Sequence, residues 1–168
     1  LAMLIAMDNG FQSCMMAPTE ILAQQHFNSI KELLVNADIK VRLLTGSTKT
    51  AERKIIHAEL LSGELSILVG THAVLEEIVQ FKNLGLAIID EQHRFGVAQR
   101  ARLWAKNKIP PHILVMTATP IPRTLAMSFY SDLDVSVIDE MPVGRKPIIT
   151  AHRREKDRLS VFRFAKDE

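Results

Sequence analysis

Two adjacent carboxylates, Asp90 and Glu91, follow a hydrophobic segment at residues 84–89. A buried strand that delivers two consecutive carboxylates at its carboxyl end suits the hydrolysis of a magnesium-bound nucleotide. Asp90 would hold Mg²⁺ through water, while Glu91 would orient and deprotonate the attacking water. The competing interpretation is a strand that ends in a solvated acidic turn, and the pair alone does not decide between the two.

Two neighbouring groups could complete such a site. They are Gln92 with His93, directly after the carboxylates, and the turn Thr117, Ala118 and Thr119, which follows the next predicted strand. The threonine hydroxyls could hydrogen-bond with the loop that carries the carboxylates. Each group also has an ordinary explanation, either a solvated loop histidine or a strand-to-helix turn with a threonine cap and a proline start.

The elements that must position these residues alternate along the chain. Strands are predicted at residues 12–17, 40–44, 66–69, 84–89, 113–116, 135–138 and 148–151. Helices are predicted at residues 1–7, 18–34, 50–61, 73–79, 97–106, 122–130 and 155–165. Several strands are continuous apolar runs, which is typical of strands buried on both faces. We therefore predict an α/β fold with a doubly wound, mainly parallel sheet and helices on both faces, whose ligands bind beyond the carboxyl ends of the strands.

The composition limits the function only weakly. The 168 residues carry a formal net charge of +2, and 47% are hydrophobic, as in a globular α/β or α protein. This charge is too small to indicate nucleic-acid binding by itself. The single cysteine, Cys14, is predicted to be a reduced, buried thiol. No apolar segment reaches the roughly 18 residues that span a bilayer, and residues 1–7 do not resemble a signal peptide.

Other enzyme classes are disfavoured because their motifs are missing from the sequence. The six histidines form no H-x-x-H or H-E-x-x-H metal site. There is neither the G-x-S-x-G of a serine hydrolase nor the G-x-G-x-x-G of a dinucleotide-binding domain. The segment TGSTKT at residues 45–50 superficially resembles a phosphate-binding loop, but it lacks the glycine directly before the lysine.

The most specific feature is a pair of longer motifs, DEQHRFGV at residues 90–97 and MTATPIPRTLAM at residues 116–127. In this order they resemble the RecG-type ATP-dependent DNA helicases of superfamily 2, and DLDVSVIDEMPVGR at residues 132–145 extends the resemblance over essentially the whole chain. The transcription-repair coupling factors share part of both motifs. They typically have glutamate where this chain has Gln92, and they diverge over residues 132–145.

This resemblance implies a domain organisation and a set of site residues. Residues 1–143 would form the first RecA-like motor lobe, and residues 144–168 a linker and the start of the second. The catalytic residues would be Glu91, Asp90, Gln92 and His93. The coupling motif would consist of Thr117, Ala118 and Thr119. Contacts with the DNA backbone would come from Pro18, Thr19, Thr45, Gly46, Thr71, His72 and Arg123.

The resemblance also implies ATP and Mg²⁺ as cofactors and forked, branched or duplex DNA as the partner. The full-length enzyme would be a monomer in the bacterial cytoplasm, associated with the nucleoid and not with membrane. There it would remodel stalled forks and Holliday junctions during recombination and repair. The family's phosphate-binding loop does not occur in this chain, so we expect a lobe truncated at both ends that is inactive alone. The alternative is a non-catalytic α/β scaffold with helicase-like loops, although Asp90 and Glu91 are intact.

Overall fold

A computed structural model describes residues 1–91, 103, 106, 109–118, 134–140, 144, 150 and 152–167. The chain divides into two compact units, Leu1–Ile121 and Pro122–Glu168. In the first unit the helices are α1 (Ala2–Asp8), α2 (Glu20–Leu33) and α3 (Thr50–Ser62), with a 3₁₀ turn at His72–Leu75. The strands are β1 (Gln12–Met16), β2 (Val41–Leu44), β3 (Ile67–Gly70), β4 (Leu84–Asp90) and β5 (His112–Met116). In the second unit a 3₁₀ turn at Glu155–Asp157 leads into α4 (Arg158–Asp167).

The five strands form one parallel sheet in the order β2-β3-β1-β4-β5. Cys14 in the central strand lies opposite Leu68 of β3 on one side and Ala87 of β4 on the other. The predicted parallel α/β sheet is therefore confirmed. Because the strands are parallel, all five carboxyl ends lie along the same edge, which we call the carboxyl edge.

Each face of the sheet is covered by its own apolar cluster. On one face, Ile56 and Leu60 of α3 pack with Cys14, Leu68 and Ala87. On the other face, residues of α1 and α2 pack on Met15, Val69 and Ile88; they are Met3, Phe27 and Ile30. Alternate residues of each strand thus face different helices, which explains the continuous apolar runs in the sequence.

Cys14 is fully buried, as predicted, and burial raises the pKa of its thiol to about 12. The uncharged thiol is therefore a packing group in the centre of the sheet. Of the helices that the structure describes, none has the length and apolarity that crossing a membrane requires.

The helix ends show which local signals were sufficient. Thr19 caps α2 by accepting a hydrogen bond from the Leu22 N–H at 3.3 Å, and Gly63 ends α3 with φ of 85°. Thr50 does not cap α3 as predicted. It is the first residue of the helix, and the capping position belongs to Lys49, whose side chain makes no capping hydrogen bond.

Two predicted elements are wrong. The helix expected at residues 73–79 is only the short 3₁₀ turn, because Ala73, Val74 and Leu75 are consecutive and all buried. An α-helix on a sheet cannot turn three consecutive side chains into the core. Residues 135–138 form no strand, and Ile138 is 94% exposed. The predicted helix at 122–130 and most of the one at 97–106 lie outside the described residues.

Candidate functional site at the carboxyl edge

The two carboxylates lie where β4 ends. Asp90 is the last residue of the strand and is in register with Met116 of β5. Thr117 follows Met116 directly, so the ends of the two strands bring the acidic pair and Thr117 to the same position along the edge.

Glu91 has a backbone conformation that is unusual for its residue type. Its φ is 53°, and among the described residues it is the one non-glycine residue with positive φ. This left-handed region costs a residue with a Cβ about 1–2 kcal/mol. A glycine would meet the backbone requirement at lower cost, so the presence of a carboxylate there points to a role for the side chain.

Asp90 is held by a residue that the sequence analysis did not predict for the site. The Nε2 atom of His26, in α2, lies 2.8 Å from Oδ2 of Asp90, and the two side chains are 30% and 20% exposed. In the sequence, His26 falls among the apolar positions of α2. A polar residue within an apolar stripe was the signal that could have identified it.

The acidic pair fits one mode of metal binding and not another. Within the described residues, no group of three histidine, cysteine or acidic side chains could hold a metal ion. Mg²⁺ in nucleotide sites is held by one or two carboxylates, with water and phosphate oxygens completing the octahedron. Asp90 therefore suits a metal that arrives with its nucleotide.

The loop after β1 is bound to the loop after β2 through Glu20 and Ser47. The Glu20 carboxylate accepts hydrogen bonds from the Ser47 hydroxyl at 2.8 Å and from the Ser47 N–H at 3.1 Å. These two bonds lower the pKa of Glu20. Because the Ser47 hydroxyl donates to Glu20, it accepts from the Thr45 hydroxyl, which is 2.9 Å away.

Arg53 of α3 connects the loop after β2 to the segment that follows the 3₁₀ turn. Its guanidinium donates to the carbonyls of Thr45 at 2.7 Å and Thr48 at 3.1 Å, and to the Glu76 carboxylate at 2.9 Å. A planar guanidinium with several donors is suited to joining three acceptors in this way. We call the connected residues Glu20, Thr45, Ser47, Thr48, Arg53 and Glu76 the loop network.

A second cation holds the same segment from another part of the chain. The ammonium of Lys106 donates to the carbonyls of Glu76 and Val79, the latter at 2.7 Å. Burial lowers the pKa of Lys106. Glu76 is thus held through its side chain by Arg53 and through its backbone by Lys106.

Gly70 and Thr71 bring the ends of three strands close together. A Cβ on Gly70 would lie 2.2 Å from the carbonyl oxygen of Leu44, so only glycine fits at this position. The Thr71 N–H donates to that same Leu44 carbonyl at 3.2 Å, and the Ala17 N–H donates to the Gly70 carbonyl at 2.9 Å. The ends of β1, β2 and β3 are therefore fixed relative to one another.

The predicted DNA-contacting residues divide by exposure. Thr45 and Thr71 are buried, whereas their neighbours Gly46 and His72 are exposed, as is Thr19. The exposed positions Thr19, Gly46 and His72 are therefore the ones of this set that a ligand can reach directly. Pro18 is half-buried. Four predicted site residues lie outside the described residues: Gln92, His93, Thr119 and Arg123.

The sequence is similar to that of known helicases. The profile of the family DEAD/DEAH box helicase matches residues 1–128. The chain is 53% identical over 167 residues to the ATP-dependent DNA helicase RecG of Synechocystis sp., covering 99% of this chain and 20% of that protein. It is 48% identical over 169 residues to RecG of Aquifex aeolicus, covering 100% of this chain and 21% of that protein.

A solved structure of RecG bound to a three-way DNA junction has a TM-score of 0.80 and 44% identity, covering 98% of this chain and 22% of that chain. The predicted RecA-like architecture and the resemblance to RecG-type helicases are thereby confirmed. The chain spans about a fifth of the length of the relatives it matches.

Proposed function

Because this chain belongs to the DEAD/DEAH box helicase family, we propose that it forms the first motor lobe of an ATP-dependent helicase that remodels branched DNA. The proposal rests on the position of Asp90, Glu91 and Thr117, which lie together at the carboxyl edge of the sheet. The same edge carries three loops that are joined by hydrogen bonds. The 53% identity to RecG, in an alignment that covers 99% of this chain, supports DNA as the substrate class.

The hydrolytic roles are assigned by position. Members of this family use ATP and Mg²⁺ in general, and the metal would supply charge neutralisation of the phosphates. Asp90 would hold the metal through water, and Glu91 would accept a proton from the attacking water. Gln92 and His93 would complete this loop. A positioned general base contributes typically about 10²–10⁴-fold to the rate.

The DNA contacts are proposed for the exposed positions of the loops. Thr19, at the start of α2, and Gly46 and His72, in the next two loops, lie along one edge and would contact phosphates through backbone amides and side chains. Such contacts carry little sequence preference. Four further residues are proposed to shape or extend this surface: Pro18, Thr45, Thr71 and Arg123. The coupling of this surface to hydrolysis is assigned to the turn Thr117, Ala118 and Thr119.

We further propose that residues 1–143 form this lobe and that residues 144–168 lead into the second lobe. The whole enzyme would act as a monomer in the bacterial cytoplasm.

The decisive experiment measures ATPase turnover of the full-length helicase that carries this chain, with forked DNA, with linear duplex and without DNA. We expect turnover stimulated by forked DNA, and we expect Glu91→Gln to lower it about 100-fold or more, as loss of a general base does. The matched control is Glu32→Gln, which removes an exposed carboxylate from α2 and should leave turnover unchanged. Nucleotide binding without turnover under every DNA condition would instead identify the scaffold alternative.

A further inference from the structure

The contact between His26 and Asp90 joins the acidic strand end to a helix that packs against the sheet. Phe27 and Ile30, in the same stretch of α2, pack in the apolar cluster formed with Met15, Val69 and Ile88. A side chain on a helix held in this way has a defined position. His26 therefore meets Asp90 as a fixed partner across 64 residues of sequence.

The same helix begins in the loop network. Thr19 caps α2 through the Leu22 N–H, and Glu20, its first residue, binds Ser47 of the loop after β2. Less than two turns later, His26 reaches Asp90. One rigid element thus contacts both the loops proposed to meet DNA and the carboxylate proposed to meet the metal.

We propose that His26 is a positioning residue for Asp90. It fixes the carboxylate through Oδ2 and leaves Oδ1 for the water shell of the metal bound to the nucleotide. The inference rests on the proposed function, since it gives Asp90 the metal as its ligand. Hydrogen bonds from outer residues to metal-binding carboxylates set their orientation, and losing one typically costs about 10–100-fold in metal affinity or activity.

A purely structural role for the pair predicts something different. A partly exposed pair that only fastened α2 to β4 would lower thermal stability slightly when broken. It would leave the magnesium dependence of nucleotide binding unchanged. The two roles are therefore separated by a binding measurement that does not depend on turnover.

The test uses the full-length helicase and a fluorescent ADP analogue, titrated in the presence of Mg²⁺ and again with EDTA. The ratio of the two dissociation constants measures the contribution of the metal. Three variants are compared with the unchanged protein: His26→Leu, His26→Gln and Ser29→Leu. The glutamine variant retains an N–H donor, and Ser29→Leu places an equally apolar side chain on the exposed surface of the same helix.

We expect His26→Leu to reduce the magnesium-dependent part of the affinity at least about 10-fold with the EDTA value unchanged. His26→Gln should recover most of the loss, and Ser29→Leu should behave as the unchanged protein. Equal magnesium dependence in all variants, with a lower melting temperature for His26→Leu, would overturn the positioning role and leave the proposed function standing. An unchanged protein that binds the analogue equally with Mg²⁺ and EDTA would overturn both.

Discussion

At the amino edge of the sheet, the amide of Gln12 is buried and bonded to main-chain groups. At the carboxyl edge, polar side chains also bond to one another across loops. Gln12 donates to the carbonyls of Leu60 at 2.9 Å and Leu65 at 2.8 Å, and its oxygen accepts the Asn83 N–H at 2.9 Å. At the carboxyl edge, side-chain hydrogen bonds join Glu20 to Ser47 and Arg53 to Glu76 on an accessible surface.

The surroundings of the two edges differ in the same direction. An apolar cleft of about 420 Å³ lies at the amino edge, lined by α1, Phe11 and the first residues of β4 and β5. The carboxyl edge carries the carboxylates, hydroxyls and cations described above. A hydrogen bond to a buried backbone group is costly to break, so it stabilises the fold. A hydrogen bond between partly exposed side chains can be exchanged for a bond to a ligand at a lower free-energy cost. This difference favours the carboxyl edge as the proposed binding edge and the amino edge as a structural one.

The largest effect should come from breaking the amino edge. Gln12→Leu leaves the Leu65 carbonyl and the half-buried Asn83 N–H without the partner that Gln12 supplies, while the Leu60 carbonyl keeps the Gly63 and Lys82 N–H donors. The free energy of unfolding should therefore fall by about 2 kcal/mol or more. Urea unfolding followed by circular dichroism measures the change. Gln24→Leu is the matched control because Gln24 is exposed on α2 and bonds only to Asn28, so its cost should stay within about 0.5 kcal/mol.

The same variant sharpens the contrast between the edges. The nucleotide affinity of the folded protein should not change with Gln12→Leu, since no ligand-facing residue contacts Gln12. If stability is unaffected while nucleotide affinity drops, the division into a structural and a binding edge is wrong.

The carboxyl edge is tested next by removing the cation at the centre of the loop network. Arg53→Gln breaks its bonds to Thr45, Thr48 and Glu76, so affinity of the full-length helicase for forked DNA should fall about 10-fold, equivalent to about 1.4 kcal/mol. Lys54→Gln removes the same charge from an exposed neighbouring position of α3 and controls for loss of general attraction to phosphates.

A double-mutant cycle separates the Arg53–Glu76 bond from the rest of the network. We expect Arg53→Gln and Glu76→Gln to be non-additive by about 0.5–1 kcal/mol, as residues in direct contact usually are. Fluorescence anisotropy of labelled forked DNA gives the four affinities. Equal losses for Arg53→Gln and Lys54→Gln would mean that charge alone matters and that the network does not position the loops.

The contrast between the edges also explains what the sequence could predict. Asp90, Glu91 and the threonine turn were predicted because each is a local string that ends a recognisable strand. The partner of Asp90 is distant along the chain, because His26 is 64 residues away. The same holds in the loop network, where Arg53 is 23 residues from Glu76. No local pattern encodes such pairs, so they became visible only when the topology brought the elements together.

Polar residues within apolar segments of the sequence indicate long-range hydrogen bonds that were not predicted. Gln12 begins a strand in which all five residues are buried, and His26 lies in the apolar pattern of α2. A buried polar group requires a partner, so each position indicated a specific long-range bond without identifying its acceptor. The helix predicted at 73–79 failed for a related reason, since the consecutive burial of Ala73, Val74 and Leu75 depends on tertiary packing and not on local propensity.

The smallest effect distinguishes the loop network from a chance grouping of polar side chains. The pKa of Glu20 is lowered because Ser47 donates to the charged carboxylate through its hydroxyl and its N–H. The stability that these bonds contribute is therefore fully present above the ordinary pKa of a glutamate and is lost as the pH falls through the lowered pKa of the folded protein. Ser47→Ala removes only the hydroxyl and should return the pKa part of the way. Carboxylate NMR titration measures this, with the exposed Glu32 as the internal reference. If Ser47→Ala leaves the Glu20 titration unmoved, the two loops are not joined in solution and α2 has no fixed contact with the second loop.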